Sequence, residues 1–210
     1  MNIFKKACGT IADFVVINIG KIHWGYKNGL TEHELSDIRA LLVPNYYIIL
    51  THRNNHLSTF FVGFANWVLT RKWSYWAHAL MNLENTVVTD EDFRLIEATG
   101  AGTHYSPFNL VFQVHGVVLL KPKNMSAEYW TTIMEKAQTE LGKPYDSLFD
   151  LKNDNALSCV ELVRTALMAE PDYATNFANF EKMISERKNL TPQMFYDNPD
   201  FEIVYETRHK

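Results

Sequence analysis

The stretch NDNALSCVELVRTAL, Asn153 to Leu167, decides how the chain is to be read. Cys159, Leu162, Val163, Ala166 and Leu167 recur at three- and four-residue spacing, which is the apolar stripe of a helix with the cysteine on its buried face. Ser158-x-x-Glu161 reads as a capping box, with Ser158 at the N-cap and Cys159 at the first helical position. A thiol at that position lies beside backbone N–H groups that have no intrahelical acceptor and at the positive end of the helix dipole, and both favour thiolate over thiol. The capping carboxylate of Glu161 works the other way if it stays beside the sulfur. The local pattern therefore allows two readings of Cys159: a small apolar core residue, or a nucleophile.

A nucleophilic thiol needs a base and a group that orients the base, so the strands upstream matter. Side chains alternate along a strand. In WAHALMNL, His78, Leu80 and Asn82 share one face; in FRLIEAT, Phe93, Leu95 and Glu97 share one. If these strands are neighbours, His78 and Glu97 point the same way, and a helix start carrying Cys159 completes a Cys–His–carboxylate set. A lone histidine in an aromatic-flanked strand is also a common hydrogen-bonded core or rim residue, so spacing alone leaves the choice open.

The remaining segments set the frame. LTEHELSDIRALLV carries a second capping box, Thr31-x-x-Glu34, and predicts a helix ended by Pro44. NYYIILTH predicts a strand over 45–52, and Leu57, Phe60, Phe61, Phe64 and Val68 predict a helix over 56–71. A strand over 76–83, a polar turn over 84–92 and a strand over 93–99 follow. The stretch GAGTHYSPFN, 100–109, is expected as a loop before a strand over 114–122. Helices are expected over 126–141 (stopped at Gly142–Pro144), from Cys159, over 175–187, and after Thr191 as N-cap with Pro192 at the first position. DFEIVYE closes the chain as a strand. This order predicts an α+β fold, a mostly antiparallel sheet or small barrel with helices against it.

Composition narrows the function classes. The 210 residues are 47% apolar and 21% charged, ordinary for a globular protein with a real core. A net charge of −4 offers no global basic field, so nucleic acid is not an expected partner. Cys8 and Cys159 are the only cysteines and make no disulfide scaffold. The N-terminal run is interrupted by Asp13 and Asn18 and reads as an amphipathic lead-in rather than an export signal. FFVGFANWVLT is too short to span a bilayer. The protein is therefore expected in the cytoplasm, or delivered by another route such as a phage particle.

His52 and His56 invite a zinc reading. They straddle a strand-to-helix turn, with no His-Glu-x-x-His pattern and no paired cysteines, so neither metal nor cofactor is expected. Gly100 and Gly102 favour a turn over a phosphate cradle, since no lysine follows. Trp67, Trp73, Tyr75 and Trp76 are core or cleft wall by default; the functional alternative is a platform for substrate. His104 and His115 are alternative orienting groups should Glu97 face solvent.

Over residues 45–206 the order and wording of these segments resemble the circularly permuted branch of the NlpC-type papain-like cysteine peptidases and amidases, the YiiX-like group, in which the histidine strand precedes the cysteine helix. YYIILTHR resembles the opening strand, WSYWAHALM the histidine strand, and RLIEATGAG the strand of the third catalytic residue. GKPYDSLFDLKNDNALSCVELVRTAL resembles the Tyr-Asp, Phe-Asp and Cys-x-Glu-Leu-Val block, with Tyr145, Asp146, Phe149, Asp150 and Cys159 at its marked positions. NLTPQMFYDNPDFEIV resembles the closing segment. The chain departs from the family at Val160, where a serine is common, and in residues 1–44, which have no counterpart.

The resemblance implies a permuted papain-like domain over 45–210; residues 1–44, outside it, are expected as a helical segment packed on that domain. It implies Cys159 as nucleophile, His78 as base and then acid, Glu97 as orienting group, and a thioester intermediate. Tyr145 and Trp76 are the substrate-contact candidates. The expected substrate is an amide bond in a cell-wall peptide, a peptide or muropeptide. Two alternatives stay open: a lipid acyltransferase or deacylase of the lecithin:retinol-acyltransferase-like type, whose Asn-Cys-Glu-His motif is absent, and a non-catalytic binding module on the same fold.

Overall fold

The computed structural model describes residues 29–43, 45–54, 67, 73–82, 93–147, 151, 153, 155–187 and 189–209. Six antiparallel strands form one sheet in the order β4-β3-β2-β1-β5-β6: β1 Ile48–His52, β2 His78–Asn82, β3 Leu95–Thr99, β4 Gly102–Ser106, β5 Gly116–Pro122 and β6 Phe201–Arg208. β4 and β6 are its edges. The helices are α1 Glu32–Leu42, α2 Phe108–Val111, α3 Tyr129–Thr139, α4 Cys159–Leu167, α5 Tyr173–Asn176, α6 Ala178–Arg187 and α7 Pro192–Asp197. The fold is α+β, as the order of segments predicts.

Alternation along the strands builds two apolar layers. On one face Ile48, Leu50, Ala79, Met81, Ile96, Ala98, Val118 and Leu120 join α3 and α4 in a single cluster that includes Cys159. On the other, Ile49, Leu80, Leu95, Val117 and Leu119 pack with Ile38 and Leu42 of α1. Covered on both faces, β1 and β5 are apolar nearly throughout, whereas the edge strand β6 exposes Ile203 and Val204. α1 starts at a complete capping box, with Glu34 N–H on Thr31 Oγ1 and Thr31 N–H on the Glu34 carboxylate at 2.8 Å. Its end is tied to the sheet by buried Asn82, which donates to the Leu42 and Asn45 carbonyls and accepts the Tyr47 N–H at 2.6 Å. A buried amide with three partners is satisfied rather than costly.

The structure corrects the expected loop at 100–109. Gly102–Ser106 is a strand, paired to β3 with Glu97 opposite His104 and Leu95 opposite Ser106, and Phe108–Val111 is one helical turn that buries Phe108 and Val111. Glycines and Pro107 mask the strand in sequence, but Gly102, at φ 90°, only shapes the hairpin turn. Beyond the turn, Thr103 donates to Lys143 O at 2.8 Å and accepts from Gly142 N–H at 2.9 Å, so a crossing segment covers this strand's outer edge. A Cβ on Gly102 would lie 2.6 Å from Lys143 O. The helix expected over 175–187 is two, α5 and α6, broken at Phe177, which turns inward onto Tyr173 and Phe201. The expected 56–71 helix, apart from Trp67, and the 84–92 turn lie outside the described residues, as do Cys8, His56, Phe149 and Asp150. Among the described residues no helix is long and apolar enough to cross a membrane.

Candidate active site

The capping box at Ser158 forms as the sequence predicts. Extended Ser158 accepts the Glu161 N–H on Oγ, and its own N–H donates to Glu161 Oε2 at 2.8 Å, so the helix opens at Cys159. Glu161 therefore stays at the helix start rather than turning away. Cys159 is buried, 4% exposed, but it is not sealed in hydrocarbon: its sulfur is close enough to the His78 ring for both charge and hydrogen-bond interaction.

His78 opens β2, and Glu97 lies opposite Leu80 on β3, so the two are diagonal neighbours on one side of the strand pair. His78 Nε2 is 2.6 Å from Glu97 Oε2. The carboxylate's other oxygen, Oε1, accepts the Ser106 hydroxyl, and His104 Nε2 is 3.7 Å from it. Burial opposes charge on His78, but the Cys159 thiolate and the hydrogen bond to it, together with Glu97, outweigh burial and push the imidazole up to about 10. Burial likewise opposes charge on Glu97; His78, Ser106 and His104 outweigh it and hold the carboxyl down at about 2. The pair is an imidazolium against a carboxylate, and the Cys159 sulfur also bears on the imidazolium.

The crossing segment brings in Tyr145. Leu157 N–H donates to Pro144 O at 3.0 Å, and Tyr145 bridges Leu157 in parallel, two residues before the cysteine. Burial, then the negative charges of Cys159, Glu161 and Asp146, push the Tyr145 phenol well above its usual range, so it remains a donor.

The other sequence candidates fall elsewhere. Trp76 is fully buried, packed edge-on to Tyr75 and against Tyr196 with the Arg208 guanidinium over it. It presents no face for a ligand to stack on, which corrects its reading as a substrate contact. His52 has both ring nitrogens engaged, Nδ1 with Tyr75 O and Nε2 with Asn54 Oδ1, while His115 Nδ1 accepts the Asn54 N–H. Among the described residues no three His, Cys, Asp or Glu side chains converge as metal ligands. The residue that sequence reading missed is Ser106. The expected loop hid it, and the available signal was the run THYS, Thr103–Ser106, whose Thr and Tyr favour a strand that puts His104 and Ser106 on one face.

A family model described as "Permuted papain-like amidase enzyme, YaeF/YiiX, C92 family" matches residues 47–205. The chain belongs to that family. The description names a permuted papain-like enzyme, and in this chain the His78 and Glu97 strands precede the Cys159 helix. One solved structure, metalloprotein yiiX from Escherichia coli O157:H7, shares the fold at 18% identity and a TM-score of 0.56, covering 79% of this chain and 99% of that one. No curated protein shows significant similarity to the chain. Membership places the protein in a cysteine peptidase and amidase class, with the His78–Glu97 pair and the Cys159 helix inside the matched region.

Proposed function

We propose that the protein is a cysteine amidase or endopeptidase that cleaves amide bonds in cell-wall peptides through a thioester on Cys159. The observation that carries the proposal is the 2.6 Å contact between His78 Nε2 and Glu97 Oε2. Because Nε2 is held by the carboxylate, Nδ1 is the nitrogen left to serve the sulfur. The thiolate attacks the amide carbonyl carbon, and the oxyanion that forms meets the Cys159 N–H, which at the first helical position has no intrahelical acceptor. The protonated Tyr145 hydroxyl is a second donor for that oxyanion. The C–N bond then breaks as His78 gives its proton to the leaving amine. A water, deprotonated by the same ring, attacks the thioester carbonyl, and the carboxylic acid product leaves as the thiolate and imidazolium are restored.

The cell-wall substrate class is supported by the likeness of the 142–167 block to NlpC-type enzymes. The lipid alternative lacks its Asn-Cys-Glu-His motif, since the chain reads Ser158-Cys159-Val160-Glu161 there. The test incubates wild type and Cys159→Ala with purified muropeptides and with phospholipid vesicles, followed by mass spectrometry. Wild type should release peptide fragments, and Cys159→Ala should be slower by about 10⁴-fold or more. Undiminished hydrolysis by the variant removes the mechanism; fatty-acid release without peptide release removes the substrate class.

A further inference from the structure

We infer that Ser106 is a positioning residue for the reaction, fixing the Glu97 carboxylate in the one orientation that serves His78. The inference rests on the Cys159–His78–Glu97 reading above and extends it to a fourth residue on β4. A carboxylate is an acceptor with two equivalent oxygens, and holding one on an imidazole requires that the other be held too. Ser106 is 2% exposed and its hydroxyl bonds Glu97 Oε1, while Oε2 bonds His78. The direction is unambiguous, because an ionised carboxylate only accepts.

The groups that face Glu97 are His78 from β2 and His104 and Ser106 from β4; the Cys159 sulfur bears on the His78 ring. His104 does not substitute for Ser106. Its Nδ1 is engaged with Gly102 O at 2.9 Å, and its Nε2, 3.7 Å from Glu97 Oε1, is too far for a hydrogen bond. Ser106 is then the one neutral donor on Oε1 among the described residues. Without it Oε1 is left buried and unpaired, and the carboxylate turns or takes up a proton, in either case weakening its hold on the imidazolium.

The experiment follows Cys159 alkylation by iodoacetamide from pH 5 to 10 in the full chain, which requires no knowledge of the substrate. Wild type should react quickly at pH 6. Ser106→Ala should react about tenfold more slowly there yet match wild type near pH 10, while Ser106→Thr, which keeps the hydroxyl, restores the wild-type profile. Should Ser106→Ala not fold, Ser106→Thr against Ser106→Val gives the comparison, two side chains of one shape that differ in the hydroxyl alone. A hydroxyl-free variant with the wild-type profile overturns the role of Ser106 and leaves the triad standing. A wild-type thiol inert at pH 6 brings down the triad itself, and this inference with it.

Discussion

Two helix starts in this molecule are built alike and behave differently. α1 opens on Thr31 with Glu34 completing the box; α4 opens on Ser158 with Glu161 completing it. Each lies near a Glu–His pair braced by a hydroxyl. At α1, Glu34 takes His209 Nε2 at 2.8 Å and the Thr207 hydroxyl; near α4, Glu97 takes His78 and Ser106. Both carboxyls are held at about 2 against the effect of burial, Glu34 chiefly by Thr207 and Glu97 chiefly by His78. The first helical residue separates them. In α1 it is exposed Glu32, and in α4 it is buried Cys159 facing the histidine. A histidine clamped by a carboxylate is a structural brace until a nucleophile occupies its free side.

Substituting the two histidines breaks the comparison most sharply. His78→Ala should lower amide hydrolysis by about 10³-fold and abolish thiol labelling at pH 6, while His209→Ala leaves turnover within about twofold of wild type. Parallel steady-state assays check this, and equal losses would erase the distinction.

The next effect is on stability against pH. Both glutamates are depressed from 4.5 to about 2, so each contributes stability above 4.5 that is lost as pH falls through about 2. His78 is raised from 6.5 to about 10, so its contribution is complete below 6.5 and lost as pH rises through about 10. Thermal melting should therefore show an acid fall that Glu34→Gln and Glu97→Gln each lessen. It should also show an alkaline fall that Cys159→Ala, lacking the thiolate partner, lessens. An alkaline fall unchanged in Cys159→Ala would mean that the imidazolium draws nothing from the sulfur.

The smallest difference lies in the caps. Thr31→Ala and Ser158→Ala should each cost about 1 kcal/mol in urea unfolding, with only the second also slowing hydrolysis. A Thr31→Ala variant that slows hydrolysis as much would join the two helix starts in function.

Much of this was legible before any coordinates. Both capping boxes are four-residue signals, and strand alternation put His78 and Glu97 on one side of their pair. Local chemistry determines such features. The β4 strand was not legible because its evidence is non-local: it is a strand through pairing with β3 on one side and the Gly142–Lys143 backbone on the other, while Gly102 and the flanking Gly100 and Pro107 look like a loop. The error carried Ser106 with it. Trp76 shows the converse, since an aromatic beside a catalytic candidate looks the same in sequence whether it faces a cleft or, as here, the core. Phe177 likewise breaks a helix for tertiary reasons, its ring being worth more against Tyr173 and Phe201 than in a continuous turn.

The contact at Gly102 has a consequence for how the chain tolerates change there. There the hairpin leaving the Glu97 strand and the segment leading to Tyr145 meet through main chain alone, with no room for a single methyl group. The spacing between the two parts of the proposed site is thus gauged by peptide units, whose dimensions are nearly fixed. A methyl group at position 102 would force the two segments apart.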